Sequence, residues 1–145
     1  LQRDIEDRVR AEEAAEAAHA ELRRTAIELK WQAELLDKAK DAILERDLDL
    51  KVRYWNKSAE RLYGWTADEA RGRSIVDLIY AGSTAFEAAN AEVMSKGEWS
   101  GEIEQRRKDG QAVIVEGHWT LVRDAQGQPR SVLAINTDIT RRRAL

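Results

Sequence analysis

The sequence predicts an α+β domain, a five-stranded antiparallel sheet with helices on one face, preceded by a long N-terminal coiled-coil helix. Three observations carry this. The first forty or so residues hold neither Gly nor Pro and repeat apolar residues every seven positions. Two short β-type runs and a series of short capped helices follow. Three long alternating segments, joined by Asp-Gly and Gly-Pro-containing turns, close the chain.

Residues 1 to about 41 are rich in Ala, Glu, Leu, Arg and Lys, good helix formers. Leu1, Arg8, Ala15, Leu22, Leu29, Leu36 and Ile43 lie seven apart, and the last four are large and aliphatic. A strict seven-residue repeat keeps one seam facing a partner once helices supercoil, so Ala15, Leu22, Leu29, Leu36 and Ile43 are the expected dimer seam. The other half of that seam, Ile5, Glu12, His19, Ala26 and Ala33, is small or polar and predicts a weak pairing. Protonation of two facing His19 rings would weaken it further.

From Ala42 the period changes. Residues 42–46 and 51–55 read as strands around an Asp47-Leu48-Asp49 turn. Asn56 is placed to cap a helix over 57–63, which Gly64 ends. Thr66 to Glu69 forms a capping box for a second short helix, with Gly72 after it, and Ser74 stands before a third. A longer helix is expected over 83–95, with Phe86, Ala89, Val93 and Met94 on one side. Residues 99–107 form a strand with Trp99, Gly101 and Ile103 on one face. Lys108-Asp109-Gly110 supplies a hairpin turn that needs positive φ. Residues 111–123 return with Val113, Val115, Trp119 and Leu121 opposite Glu116, His118 and Thr120, and 131–138 form the last strand. The expected organisation is therefore a linker helix over 1–41, a compact sheet-and-helix domain over 42–140 and the start of a second helix over 141–145.

Several function classes drop out on composition. A net charge of −3 gives no reason to expect nucleic acid, and no apolar run suits a membrane span. No cysteine is present, which removes disulfides, thiol nucleophiles and thiolate metal sites. No phosphate-cradling glycine loop, carboxylate constellation or metal-ligand spacing stands out, so no catalytic and no metal residues are expected. A cytoplasmic setting follows as the default.

The stretches Trp55 to Glu60 with Leu62 to Trp65, Asp68 to Ser74, Trp99 to Glu102, Arg107 to Gly110 and Asp138-Ile139-Thr140 resemble, in order and spacing, the PAS sensory domain family. The resemblance covers about residues 36–140. It implies a curved sheet with a pocket beneath its helices, used as an input module of sensor histidine kinases, cyclic-dinucleotide enzymes or chemoreceptors. Pocket candidates on this reading are Met94, Trp99, Ile103, Val115, Trp119 and Ile135. The resemblance makes Asp138, Ile139 and Thr140 the signal exit, with Asp138 expected to pair with Arg106, Arg107 or Lys108. Residues 138–144 resemble residues 4–11, so the N-terminal rod is expected to be the exit helix of an earlier module, and another rod is expected to follow Leu145.

Cofactor expectations follow from the same resemblance. Flavin–thiol and thioester chromophores need a cysteine, and haem-binding relatives need a histidine on the helix over 83–97, which holds none. Haem is therefore not expected, and no cofactor is the leading expectation, with a non-covalent FAD or FMN left open. His19 to Thr25 faintly resembles a kinase phospho-acceptor box, but its spacing is off and no proline follows. The expected partners are a second copy, in a parallel homodimer through the N-terminal helix, and the adjacent sensor and output domains of the same chain. Three functions remain: a sensory and dimerisation module relaying a signal to a histidine kinase, a flavin-based redox or light sensor, or a purely structural dimerisation and relay module whose pocket is filled by its own side chains, Trp99, Trp119, Ile103 and Met94.

Overall fold

The computed structural model describes residues 2–38, 40–81 and 84–141. The chain divides into two units, Leu1–Leu35 and Leu36–Leu145. The described part of the first lies within a helix, α1 (Gln2–Lys38), of 37 residues, whose last turn belongs to the second. At 1.5 Å per residue it is roughly 55 Å long. Its composition explains its length, since nothing in it breaks the hydrogen-bond ladder. No described helix is long and apolar enough to cross a membrane.

The second unit is a five-stranded antiparallel sheet in the order β2-β1-β5-β4-β3. Its strands are β1 (Ala42–Asp47), β2 (Val52–Trp55), β3 (Glu98–Arg106), β4 (Ala112–Arg123) and β5 (Pro129–Asp138). Between β2 and β3 lie α2 (Lys57–Tyr63), α3 (Ala67–Ala70), α4 (Ile75–Ile79) and α5 (Thr84–Lys96). The sheet predicted from sequence is thus the sheet found, with strand ends shifted by a residue or two. The predicted helix start at Ser83 lies outside the described residues, as does the chain beyond Arg141.

Local chemistry accounts for the short helices. Asn56 Oδ1 accepts from the Ala59 amide and caps α2, and Gly64 (φ 82°) closes it in the left-handed region. Thr66 and Glu69 form the reciprocal capping box of α3. Ser74 occupies the N-cap position of α4, but its side chain makes no capping bond, so the third predicted cap is positional only. Asn56 does more than cap. Its Oδ1 also accepts from Ile43 N at 2.9 Å, and its Nδ2 donates to Asp41 O at 3.1 Å, so it ties the start of β1 to α2.

The core lies between the sheet and the helices. Leu44, Ile103, Val113, Val115, Trp119, Leu121, Val132 and Ala134 meet Tyr63, Ile75, Ile79, Phe86, Ala89 and Val93 in one buried cluster. Strand alternation puts His118 on the opposite face, exposed and 3.0 Å from Ser100 Oγ through Nδ1.

One seam expectation fails here. Ile43 belongs to β1, opposite Ile135 in the sheet, and its amide and carbonyl are both bonded to Asn56. The rod has ended by then, so Ile43 cannot continue the heptad stripe of α1.

Candidate functional site

The interior of the sheet carries a polar network inside an apolar shell. Tyr63 Oη donates to Gln105 Oε1 at 2.5 Å, and Gln105 Nε2 donates to Tyr80 Oη at 2.8 Å. Asn136 Nδ2 donates to Tyr63 Oη at 3.0 Å, and Trp119 Nε1 donates to Asn136 Oδ1 at 3.2 Å. These side chains come from α2, β3, the end of α4, β5 and β4, so one chain of bonds links most of the domain. Each group has a partner, which is what a buried polar network requires. Burial, reinforced by the nearby Tyr80, pushes the Tyr63 hydroxyl well above the ordinary tyrosine range, and burial also raises Tyr80. Both remain neutral hydroxyls at any physiological pH.

A second polar group faces the same interior from β1. Arg46 is 3 % exposed; its Nη2 donates to Asn90 Oδ1 on α5, and its guanidinium lies 5.4 Å from the centre of the Phe86 ring. Burial draws its pKa down to about 10.

Aromatic packing fills what the network leaves. Trp99 packs against Trp119 with ring centres 4.5 Å apart and planes tilted by 51°, and Phe86 sits 5.9 Å from Trp119. The Trp99 indole rests on the cross-strand pair Gly101 and Gly117; a Cβ at Gly117 would stand 2.8 Å from its Cζ3. The void left between Leu44, Arg46, Ile79, Tyr80, Phe86 and Trp119 is about 10 Å³, room for at most one water.

The sequence-derived pocket residues divide accordingly. Ile103, Val115 and Trp119 are buried in this core, with Met94 and Trp99 packed against it, half-buried. Ile135 is not among them. Val132, Ala134 and Asn136 point inward, so Ile135 faces the other side of β5, between Ile43 and His118. A run of four apolar residues, Val132 to Ile135, hides the alternation that would have placed it. Tyr63, Tyr80, Gln105, Asn136, Arg46 and Asn90 were missed. The signal was present for two of them: Gln105 and Asn136 continue the inward parity of Ile103 and Ala134, where a polar side chain must find a buried partner.

The exit tripeptide is tied to the edge of β4. Ile139, 2 % exposed, donates its amide to Ile114 O at 2.9 Å, and Thr140 Oγ1 accepts from Ile114 N at 2.9 Å. Asp138 Oδ1 accepts from Thr140 N at 2.9 Å and from Thr140 Oγ1 at 2.7 Å. The expected pairing of Asp138 with the hairpin is absent. Arg106 reaches only the Gly110 carbonyl at 3.5 Å, Lys108 is bound to Glu69 at 2.8 Å, and Arg107 shares with Asp138 a depression of about 230 Å³ without an ion pair. The Asp138 carboxylate is committed to the turn after β5 instead.

Lys108 ties the hairpin to the helices. Its amide donates to Tyr63 O at 2.7 Å, and its ammonium lies 5.0 Å from the centre of the Trp65 ring. The bond from Lys108 holds the Glu69 carboxyl down at about 2. On α1, Leu22 and Leu29 are 68 % and 60 % exposed, and Ala15 is exposed. The Leu36 side chain lies outside the described residues. Among the described residues no cluster of three His, Asp or Glu side chains suits a metal ion.

The family model described as the PAS fold matches residues 36–144. A search of curated proteins finds no match. Among solved structures, a PAS domain of a protein from Colwellia psychrerythraea is 33 % identical with a TM-score of 0.71, covering 78 % of this chain and 98 % of that one. An RNA-binding Light-Oxygen-Voltage receptor is 27 % identical with a TM-score of 0.71, over 81 % of this chain and 34 % of that one. A PAS domain from a two-component sensor histidine kinase is 17 % identical with a TM-score of 0.68, over 79 % and 98 %. Sheet order, the capped helices before β3 and the matched span agree: this chain belongs to the PAS family of sensory domains.

Proposed function

We propose that this PAS domain is a sensory and dimerisation module that relays a signal through flanking coiled-coil helices to an output domain, that of a cytoplasmic two-component histidine kinase. The carrying observation is the clamp at the exit. Ile139 and Thr140 are both bonded to Ile114, so a shift of β4 is transmitted to the first residues of the next helix. The heptad leucines of α1 support a parallel homodimer as the transmitting unit. The kinase context rests on the family's usual setting and on the rod, since 17 % identity to a kinase PAS domain speaks to fold alone. Signalling on this reading is a population shift between two arrangements of sheet and rods.

Thr140→Val in the full-length protein tests the clamp. It keeps the side-chain shape while removing the acceptor for Ile114 N and the donor to Asp138. The expected result is loss of signal-dependent output with the fold retained by circular dichroism; an unchanged response overturns the relay.

A flavin sensor is the second reading, favoured by the likeness to the Light-Oxygen-Voltage receptor. The interior argues against it. Pockets for small molecules and cofactors measure roughly 300–1,000 Å³, and the void here is about 10 Å³ with Trp99 lying on the glycine floor. A yellow purified protein would reverse this preference.

A further inference from the structure

A buried cation demands an account, because an ion removed from water is costly unless an opposite charge meets it. Arg46 is such a cation. It follows Ala42 and Leu44 along the inward face of β1 and is 3 % exposed. Its guanidinium has five N–H donors. One nitrogen reaches Asn90 Oδ1 and another the Asp47 carbonyl, at a long 3.4 Å. No carboxylate among the described residues forms an ion pair with it. Of the two acids beside it in sequence, Glu45 accepts from Ser131 Oγ at 2.8 Å, and Asp47, whose charge acts on Arg46 without an ion pair, has its Oδ1 occupied by the amides of Asp49 and Lys51 at 2.9 and 3.0 Å. The rest of the surrounding wall is Leu44, Ile75, Ile79, Phe86, Trp119 and Ala134, the Tyr80 ring, and Asn136, whose side-chain amide is engaged by Tyr63 and Trp119.

We propose that Arg46 anchors a small monocarboxylate with an apolar body, bound inside the domain between β1 and α5. The carboxylate takes the place of the Asn90 amide oxygen on the guanidinium, and the hydrocarbon lies against Phe86, Ile79 and Trp119. Two physical reasons favour this class. A charged acceptor makes a hydrogen bond roughly twice as strong as a neutral one. A planar guanidinium also presents paired donors that match a carboxylate and no neutral amide. A second carboxylate on the ligand would have to sit among apolar side chains, so diacids are selected against.

The void of about 10 Å³ is not itself the binding volume. Room is to come from Asn90 leaving Arg46, by rotation of its side chain or by a shift of α5, on which it sits. Binding stands on Arg46 alone; that the movement is read as a signal rests on the relay proposed above.

The test uses the purified chain and three pairs of probes: acetate with acetamide, butyrate with butyramide, benzoate with benzamide, at equal millimolar concentration and matched ionic strength. At least one carboxylate is expected to raise the unfolding midpoint by about 3 °C or more over its amide. Arg46→Met should abolish that difference, and Arg46→Lys should weaken the affinity by roughly tenfold or more, since lysine lacks the paired donors. No carboxylate exceeding its amide, an equal rise with sodium sulfate, or an undiminished difference in Arg46→Met overturns the proposal. Should Arg46→Met fail to fold, Arg46→Lys decides, and unaltered affinity in that variant overturns it. A failure here leaves the Thr140→Val result untouched, so the two readings fall separately.

Discussion

Asn56 shows how much one side chain can hold. A capping amide is commonly exposed, yet this one is fully buried and serves the Ala59 amide, the Ile43 amide and the Asp41 carbonyl together. Removing it takes a helix cap, worth about 1 kcal/mol, and leaves a buried strand amide without an acceptor, a further ~1–3 kcal/mol. Asn56→Ala is therefore expected to destabilise the domain by about 2–4 kcal/mol, read from the midpoint of chemical denaturation. Asn56→Asp should lose at least as much, because it keeps the acceptor but buries a carboxylate with one oxygen against the Asp41 carbonyl. The capping role was legible in the sequence, where Asn precedes a helical run ended by Gly64. The bonds to β1 were not, because they join residues thirteen or more apart and depend on how the strand meets the helix.

Among elements, the β3–β4 hairpin and α3 are coupled by the Lys108–Glu69 pair at 2.8 Å. Both side chains are substantially exposed, so the contact adds little to stability at high salt. Its pH signature is nonetheless specific. The Glu69 pKa is drawn from its ordinary 4.5 down to about 2. A depressed carboxyl pKa contributes stability that is complete above about 4.5 and disappears as pH falls toward 2. The difference in unfolding midpoint between the wild type and Glu69→Gln is expected to be constant above pH 5 and to close between about 4.5 and 2; a difference independent of pH would break this assignment.

Elements were the most readable scale in the sequence, for a physical reason. The capping box at Thr66–Glu69 and the positive φ of Gly64 and Gly110 are local demands that the residues themselves announce. The interior was read less well. Ile135 was assigned inward because β5 is apolar on both faces. Arg46 escaped notice because a charged residue in a strand is ordinarily assigned to solvent, and only its parity with Leu44 turns it inward. Asp138 was paired with a distant base when a nearer threonine satisfied it.

For the whole molecule, the open question is association. Leu22 and Leu29 stand exposed on α1 with the spacing of a coiled-coil seam, and small residues between them make that seam a weak one. Sedimentation at micromolar concentration is expected to find dimers for the wild type and monomers for Leu22→Lys/Leu29→Lys, with the second unit still folded. Dimers that survive both charges would move the interface to another surface and leave the rod without its proposed part. Exposed Ile27 and Trp31 lie outside the heptad positions. They offer no register of their own, so a residual association of the double variant should not be sought there first.

The close, tilted pair of indoles at Trp99 and Trp119 has a practical consequence. Two chromophores at such close range share their excited states, and the pair should give an exciton couplet in far-ultraviolet circular dichroism. Trp31, out on the N-terminal helix and open to solvent, contributes emission but no part of that couplet. The molecule thus carries, with no label attached, an optical gauge for the state of its interior that the other three tryptophans do not share.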